Sequence, residues 1–373
     1  MTKAGKAALP LVAPLIGSND PEVLVRVKEI LKGYLLAENE TLWQKTENIL
    51  LKLKEGTDRK AREAERFLAS WRNELEPNII ARFKEMGGEI TRRKDEQRGD
   101  VFEVRARKDF KGGNSGLSLI TRLSPVTWLS LEDSVLTDPA LRQVARLPEL
   151  INLYLGRANL SAKGLAQLAP LKKLTYLSLD GVKVGDDAVL ALQPLAKIQS
   201  LGLDRTEVTN EALPHLAAFP DLRVLWLNAT KVTDDGLHHL EKVPSLEKLN
   251  ISGCQCGSRG LASLAKARKL THLSMWDVQF TPEGVAALSK LQQVTFLELK
   301  GANITDNDVV LLTEMKNLES LKLGKTAITD KSIKNLSKLK KLTLLDLAGT
   351  KVTADGVASL KTALPECRIN TKE

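Results

Sequence analysis

A stretch of 24 residues that recurs without interruption constrains this chain more than any other feature. In the copy 222–245, apolar residues stand at positions 1, 4, 6, 11, 16 and 19, and neighbouring copies hold mostly Leu, Val or Ile at the same positions. The ten copies start at Val126, Leu150, Leu174, Ile198, Leu222, Leu246, Leu270, Val294, Leu318 and Leu342. One copy cannot bury its apolar residues alone, so the copies must stack around a common core.

The first half of each copy predicts a β-strand. In the copy 222–245, alternation sends Leu225 and Leu227 inward, and it sends Val224, Trp226 and Asn228 to the opposite face. Residues that build the core are thereby separated from residues that face away from it.

The second half predicts a short helix. Thr233 stands where a helix N-cap is expected, and Asp234 and Asp235 follow in the first turn, where the helix dipole favours carboxylates. Leu237 and Leu240 form the buried stripe. A recurring glycine is expected to permit close packing of the helix on the strand. It stands at Gly164, Gly236, Gly260, Gly284 and Gly356.

The pattern resembles the bacterial leucine-rich repeat of the type L-x-x-L-x-L-x-x-T-x-V-T-D-x-G-L-x-x-L. The resemblance covers about two thirds of the chain. It implies an α/β solenoid, a right-handed horseshoe with a parallel sheet on the concave face and short helices on the convex face. It also implies a non-catalytic scaffold that binds protein partners. The asparagine usual at position 9 is missing, so main-chain hydrogen bonds must hold the turn after each strand.

The first 86 residues predict a small all-α domain. Asn19 to Glu22 is a helix start, with a capping Asp and Pro at the first helical position. Further helices are expected over 41–53 and 58–74, and a short one from Pro77 to Gly88. The helical hairpin over residues 3–36 resembles a HEAT repeat through Ala7, Ala8, Leu9, Pro10, Leu15, Asp20, Pro21, Glu22 and Val23.

Residues 87–125 predict an N-terminal cap and an irregular first repeat. Residues 89–93 have the pattern of a strand, 101–106 repeat the leucine spacing, and 112–116 are expected to form a loop. Residues 126–373 hold the ten repeats and a C-terminal cap, because atypical terminal copies close the core of a solenoid.

Composition adds weak constraints. The 373-residue chain has a formal charge of +9, which permits an anionic partner. Three cysteines give no disulfide framework. The basic and apolar N-terminus allows export as an alternative, but Pro10 and Pro14 interrupt the apolar run and an A-x-A cleavage site is missing, so a cytoplasmic location is predicted.

Motifs for catalysis or cofactor binding are not found. Gly324-Lys325-Thr326 resembles the end of a phosphate-binding loop, but Glu319 stands where that loop needs Gly. Cys254 and Cys256 fall on positions that are buried in other copies, so small core fillers are expected rather than a metal site. His215 and His239 share a position in adjacent copies and could lie side by side on a solvated surface. We predict no catalytic residue, no metal and no cofactor.

The concave face is the predicted partner-binding surface. Large aromatic residues stand where packing does not require them, and such residues often dominate protein interfaces. The charge also changes along the face, from Glu132 and Asp133 toward Lys322 and Lys325, which could orient an elongated partner. The predicted contacts are Trp128, Tyr154, Tyr176, Asp180, Asp204, Trp226, Asn250, His272, Trp276, Phe296 and Lys300. The alternative is that strands favour aromatics through propensity alone.

Two basic stretches carry a second hypothesis, the binding of nucleic acid or another anionic polymer. The stretch 92–111 interleaves Arg and Lys with Asp and Glu, and the stretch 331–341 carries five lysines. Solvated faces are the simpler interpretation of both, so nucleic acid is possible but not favoured.

Overall fold

The computed structural model describes residues 8–35 and 40–372. Residues 1–7, which include Ala7 of the HEAT-like match, and Glu373 lie outside the described residues. The described residues contain an N-terminal helical region followed by one continuous sheet, as predicted.

The helical region contains a short α-helical segment over 8–12, a 3-10 helix Ala13–Gly17 and three longer α-helices. These are α1 (Pro21–Leu35), α2 (Glu40–Lys54) and α3 (Arg59–Glu85). The predicted cap of α1 is confirmed, since Asp20 Oδ1 accepts a hydrogen bond from the Glu22 amide at 2.9 Å. The predicted break before Pro77 is wrong, because α3 continues through it. Pro77 removes one helical hydrogen bond, but Phe67 and Phe83 on either side are both buried in one core, which offsets that loss.

The sheet has thirteen strands in chain order, with β1 antiparallel to β2 and every later pair parallel. They are β1 (Glu89–Asp95), β2 (Gly99–Arg105), β3 (Val126–Ser130), β4 (Asn152–Tyr154), β5 (Tyr176–Ser178), β6 (Ser200–Gly202), β7 (Val224–Trp226), β8 (Lys248–Asn250), β9 (His272–Ser274), β10 (Phe296–Glu298), β11 (Ser320–Lys322), β12 (Leu344–Asp346) and β13 (Arg368–Asn370). From β3 to β12, paired residues are 24 residues apart in the sequence, as Leu225 and Leu249 are. Residues at the same position of successive copies therefore lie side by side across the sheet.

Short helices follow the strands on the other side of the core. The α-helices are Gly113–Ile120, Asp138–Val144, Ala162–Leu165, Asp186–Leu192, Pro282–Leu288, Asp306–Leu312, Ile333–Leu336 and Ala354–Ala363. The 3-10 helices are Ala166–Leu168, Asn210–Ala218, Asp234–Lys242, Arg259–Lys266 and Asp330–Ser332. The loop predicted over 112–116 is wrong, because Gly113 begins a helix. Its Gly116 and Leu117 are buried, and Gly116 packs against Phe110 and Met86.

The core runs without a break from Leu9 to Cys367. Phe83 at the end of α3 meets Phe110 with ring centroids 4.8 Å apart, which joins the helical region to the first repeats. In nine of the ten copies the turn after the strand is held by a main-chain hydrogen bond as predicted, for example from the Val182 amide to the Leu179 carbonyl at 2.9 Å. Threonine hydroxyls at position 9 add a bond to the same carbonyl, as Thr206 does at 2.6 Å.

The first helical turns join successive copies to one another. Asp186 accepts hydrogen bonds from the Thr209 amide and hydroxyl, both at 2.8 Å, and Asp306 and Asp330 bond Thr329 and Thr353 in the same way. In the copy 222–245, Thr233 does not cap its own helix, because its amide and hydroxyl bond Asn210 of the preceding copy.

The predicted role of the recurring glycine is therefore wrong. A Cβ on Gly164 would meet the Asp138 carboxylate of the preceding copy, and one on Gly356 would meet that of Asp330. The glycine makes room for the preceding copy rather than for the strand, and at Gly236, Gly260 and Gly284 the group nearest to an added Cβ is the Asn210 side-chain amide, the Asp234 carbonyl and the Gly257 carbonyl. Ala212 and Ser332 occupy the same position, and Ser332 Oγ donates a hydrogen bond to Asp306 Oδ1 of the preceding copy.

Candidate functional site

The predicted contact residues lie in three rows on the sheet, at positions 3, 5 and 7 of their copies. Trp128, Tyr154, Tyr176, Trp226, Asn250, His272 and Phe296 belong to strands β3 to β10. Asp180, Asp204, Trp276 and Lys300 follow the strands at position 7 of their copies. Their side chains alternate with buried leucines, so all three rows lie on the face opposite the leucine core, which we call the open face.

Four aromatic side chains form a continuous stack on the open face. Ring centroids are 5.0 Å apart for Trp128 and Tyr154, 4.6 Å for Tyr154 and Tyr176, and 6.0 Å for Tyr176 and Trp226. The last contact spans β6, whose Gly202 is the register partner of Trp226, and a Cβ on Gly202 would meet the Asp180 carboxylate. We call Trp128, Tyr154, Tyr176 and Trp226 the aromatic stack.

Mutual contact explains part of the aromatic placement. Each ring of the aromatic stack is half-buried because its neighbours cover it, so the expectation that packing plays no part is wrong. Burial also raises the pKa of the Tyr176 phenol, which stays protonated at neutral pH. Trp276 is different, since 40% of it is exposed.

A second, smaller group lies farther along the open face. His272 and Phe296 stack with centroids 5.2 Å apart, and Lys322 Nζ lies 5.0 Å above the Phe296 ring while it pairs with Glu298 at 3.1 Å. Burial lowers the pKa of His272, and the charge of Lys248 lowers it further, so the imidazole is neutral at neutral pH.

A cavity of about 140 Å³ separates this group from the aromatic stack. Trp226 forms one wall, Phe296 and His272 form the other, and Lys248 and Asn250 line it between them. The cavity exists because β8 carries no aromatic residue. Sequence reasoning missed Lys248 as a lining residue, although it stands at position 3 like Tyr176, His272 and Phe296.

Position 7 forms a hydrogen-bonded column that sequence reasoning also missed. Asp180 Oδ1 accepts the Asp204 amide at 3.3 Å, Asp204 Oδ1 accepts the Asn228 amide at 2.7 Å, and Ser252 Oγ accepts the Trp276 amide at 2.9 Å. Asp180 and Asp204 therefore hold the copies together in addition to any contact with a partner. The signal was present, since Asp, Asp, Asn and Ser occupy position 7 in four successive copies.

Asp204 has an unusual carboxyl group. Burial raises its pKa to about 6, the charge of Asp180 adds to this effect, and the hydrogen bond from the Asn228 amide opposes it. A proton on this group is therefore gained or lost just below neutral pH.

The first basic stretch, 92–111, offers little positive charge that is not paired with a carboxylate. Arginines of 92–107 pair with carboxylates, among them Arg92 with Asp100 at 2.6 Å and Arg93 with Glu103 at 2.7 Å. Arg107 lies 3.5 Å from Glu132. The lysines of 331–341 are exposed on the side of the helices, away from the open face.

The cysteines and histidines considered as metal ligands make structural contacts. Cys254 and Cys256 are buried, as predicted, and His239 stacks on His238 of its own copy with centroids 3.8 Å apart. Within residues 8–35 and 40–372, no three His, Cys, Asp or Glu side chains gather as metal ligands. In those same ranges, no helix is both long enough and apolar enough to cross a bilayer.

Comparison with known proteins supports the fold. The model of the family described as Leucine Rich repeat matches residues 244–265 and 338–361. An internalin of Listeria monocytogenes is similar in structure, with a TM-score of 0.52, 24% identity, and coverage of 68% of this chain and 69% of the internalin. A leucine-rich-repeat protein of Leptospira interrogans has a TM-score of 0.42 and 18% identity, with coverage of 68% and 80%. No curated protein matches the chain in sequence.

Proposed function

We propose that this leucine-rich-repeat protein is a non-catalytic scaffold that binds a protein partner on its open face. Leucine-rich-repeat proteins typically bind other proteins, and the family model that matches this chain is a leucine-rich repeat. The observation that carries the proposal is Trp276, a large side chain that lies on the open face and is 40% exposed. Exposed Trp and Tyr are the residues that most often anchor interfaces.

The remaining predicted contacts support the proposal in two ways. Trp276 and Lys300 make no side-chain hydrogen bond to any described residue, so the fold does not explain their identity. The aromatic stack and the cavity next to Trp226 give the open face a ridge and a recess, which suit a protein surface better than a small molecule.

The test compares capture of partners from lysate of the source cell by the native chain, by Trp276→Ala and by Trp226→Ala/Trp276→Ala. Loss of one anchoring tryptophan should weaken binding by about 2 kcal/mol, or about thirtyfold. Trp276→Ala should change the free energy of unfolding by less than about 0.5 kcal/mol, as surface substitutions do. Trp226→Ala should cost about 1 kcal/mol more, because it ends the aromatic stack.

Leu190→Ala is the matched control, since Leu190 is 44% exposed but lies on the side of the helices. A protein captured by the native chain and the control, and lost from the tryptophan variants, supports the open face. Equal capture by all variants contradicts it. Nucleic acid that is released steeply with salt would instead favour the basic stretches.

A further inference from the structure

A recess on the open face is large enough for one side chain of a partner. It is the cavity of about 140 Å³ between Trp226 and the stacked pair His272 and Phe296. A space of about 150 Å³ holds one benzene-sized group, whereas pockets for small-molecule ligands measure about 300–1,000 Å³. The recess therefore suits a single protruding side chain better than a small-molecule ligand.

Between its two walls, the recess offers hydrogen-bond donors that are not used by the fold. Asn250 Oδ1 accepts the Ser252 amide at 3.0 Å, which fixes the orientation of the side-chain amide. The Nδ2 atom of Asn250 therefore keeps two N–H donors, and neither has an acceptor among the described residues. A group that enters the recess next to Asn250 has to accept hydrogen bonds.

Lys248 adds a positive charge to the same place. Its side chain is exposed and forms no ion pair with any described residue. The carboxylates beside it are already paired, since Glu247 lies 3.7 Å from Arg223 and Glu298 lies 3.1 Å from Lys322. An unpaired ammonium next to unused N–H donors calls for an anionic acceptor, because hydrogen bonds between charged groups are the strong ones.

The walls of the recess favour an anion that is carried on an apolar stem. Trp226 and Phe296 are half-buried rings, and Val224 lines the recess next to Trp226. His272 is neutral and stacks on Phe296, so it extends this wall without adding charge. Methylene groups gain from contact with such walls while donors bind the end of the side chain. Glu and Asp side chains combine the two features.

The exposed positions of the open face around the recess are positively charged. From the sixth to the ninth copy, positions 3, 5 and 7 carry three lysines and one carboxylate, which are Lys248, Lys300, Lys322 and Glu298. In the first four copies the same positions carry no basic residue and three carboxylates, which are Glu132, Asp180 and Asp204. An acidic segment of a partner is therefore attracted to the later copies and repelled by the earlier ones.

We propose that the partner docks an acidic segment on the sixth to ninth copies and inserts one Glu or Asp side chain into the recess, an inference that rests on the proposed function. The carboxylate accepts hydrogen bonds from Lys248 Nζ and Asn250 Nδ2, and its stem contacts Trp226. Trp276 follows Ser274 of the recess by two residues on the same face, about 7 Å farther along the chain, and flanks this contact.

The experiment selects binders from random dodecapeptides displayed on phage and fused through their C-termini, so that every carboxylate they offer is a side chain. Selection uses the native chain, Trp226→Ala/Trp276→Ala and Lys248→Met in parallel. We expect the peptides that need the tryptophans to share a Glu or Asp. Selection on Lys248→Met should not enrich that residue.

A selected peptide, synthesised as its C-terminal amide, then measures the contact in a double-mutant cycle. Replacing its shared Glu by Gln, or Asp by Asn, should weaken binding to the native chain about tenfold, because a charge-assisted hydrogen bond is lost. The same replacement should change binding to Lys248→Met by less than about twofold, since the carboxylate has already lost its partner. Lys334→Met is the matched control, because it removes an exposed charge from the side of the helices and should behave as the native chain does.

The outcomes separate this contact from the proposed function. Peptides that need the tryptophans but share no carboxylate overturn the acidic contact and leave the proposed function standing. A shared carboxylate that contributes equally to binding of the native chain and of Lys248→Met overturns it as well. If no peptide depends on Trp226 and Trp276, the proposed function fails, and the acidic contact fails with it.

Discussion

Asp204 holds two copies together through a hydrogen bond, but its effect on the stability of the fold depends on pH. Its carboxylate accepts the Asn228 amide, yet it is half-buried beside the negative charge of Asp180. Burial raises its pKa from 3.8 to about 6. Between these values the folded chain keeps a proton that the unfolded chain has lost.

The native chain should therefore lose stability as the pH rises from about 4 to about 6, because the folded state binds more protons in this range. Asp204→Asn removes this contribution. Urea denaturation at several pH values should show that the variant gains stability relative to the native chain as pH rises. Asp187→Asn, exposed on the side of the helices, is the control. A difference that does not change with pH would contradict the prediction.

At the scale of one element, two adjacent aspartates begin the helix Asp186–Leu192 but have different surroundings. Both stand in the first turn, where the dipole favours them. Only Asp186 also accepts the Thr209 amide and hydroxyl of the next copy. The pair separates the contribution of the dipole from that of the inter-copy bonds.

Asp186→Ala should lower the free energy of unfolding by about 2 kcal/mol, because hydrogen bonds to charged groups contribute about 1.5–3 kcal/mol. Asp187→Ala loses only the dipole interaction, about 0.3–1 kcal/mol. Chemical denaturation of both variants measures the difference. Equal losses would mean that the inter-copy bonds contribute nothing.

These elements also show what the sequence could predict. Strands and buried leucines follow from it, because one spacing recurs ten times and each wrong register would expose leucines. The partner of Asp186 could not be predicted, since a carboxylate in a first turn suits both the dipole and a neighbouring copy. Pro77 and the helix from Gly113 were missed because tertiary packing outweighed local preference. At the candidate site, the column at position 7 was visible, but the stacking of rings across Gly202 needed coordinates.

For the whole molecule, a continuous core means that damage in one copy reaches the others. Leu225 is fully buried and lies between Leu201 and Leu249 on the adjacent strands. Leu225→Asp places an unpaired charge in that core, which costs more than about 4 kcal/mol. Loss of far-UV circular dichroism and of cooperative thermal unfolding should follow, whereas Trp276→Ala should leave both unchanged. A folded Leu225→Asp chain would show that the copies are stable individually.

In the hydrogen bonds between first helical turns, the aspartate of one copy accepts and the threonine of the next copy donates. This fixed direction affects how the number of copies can change. Where the aspartate is followed 23 residues later by threonine, as Asp186 is by Thr209, a whole copy can be added or removed and each donor still finds an acceptor. Thr281 instead caps the Gly284 amide of its own helix, and Thr305 closes on Asp308. These two first turns use no carboxylate of the copy before them, but the Thr281 amide still donates to the Gly257 carbonyl and the Asn303 side chain still bonds Phe280, so a different link replaces the aspartate–threonine pair at these two junctions.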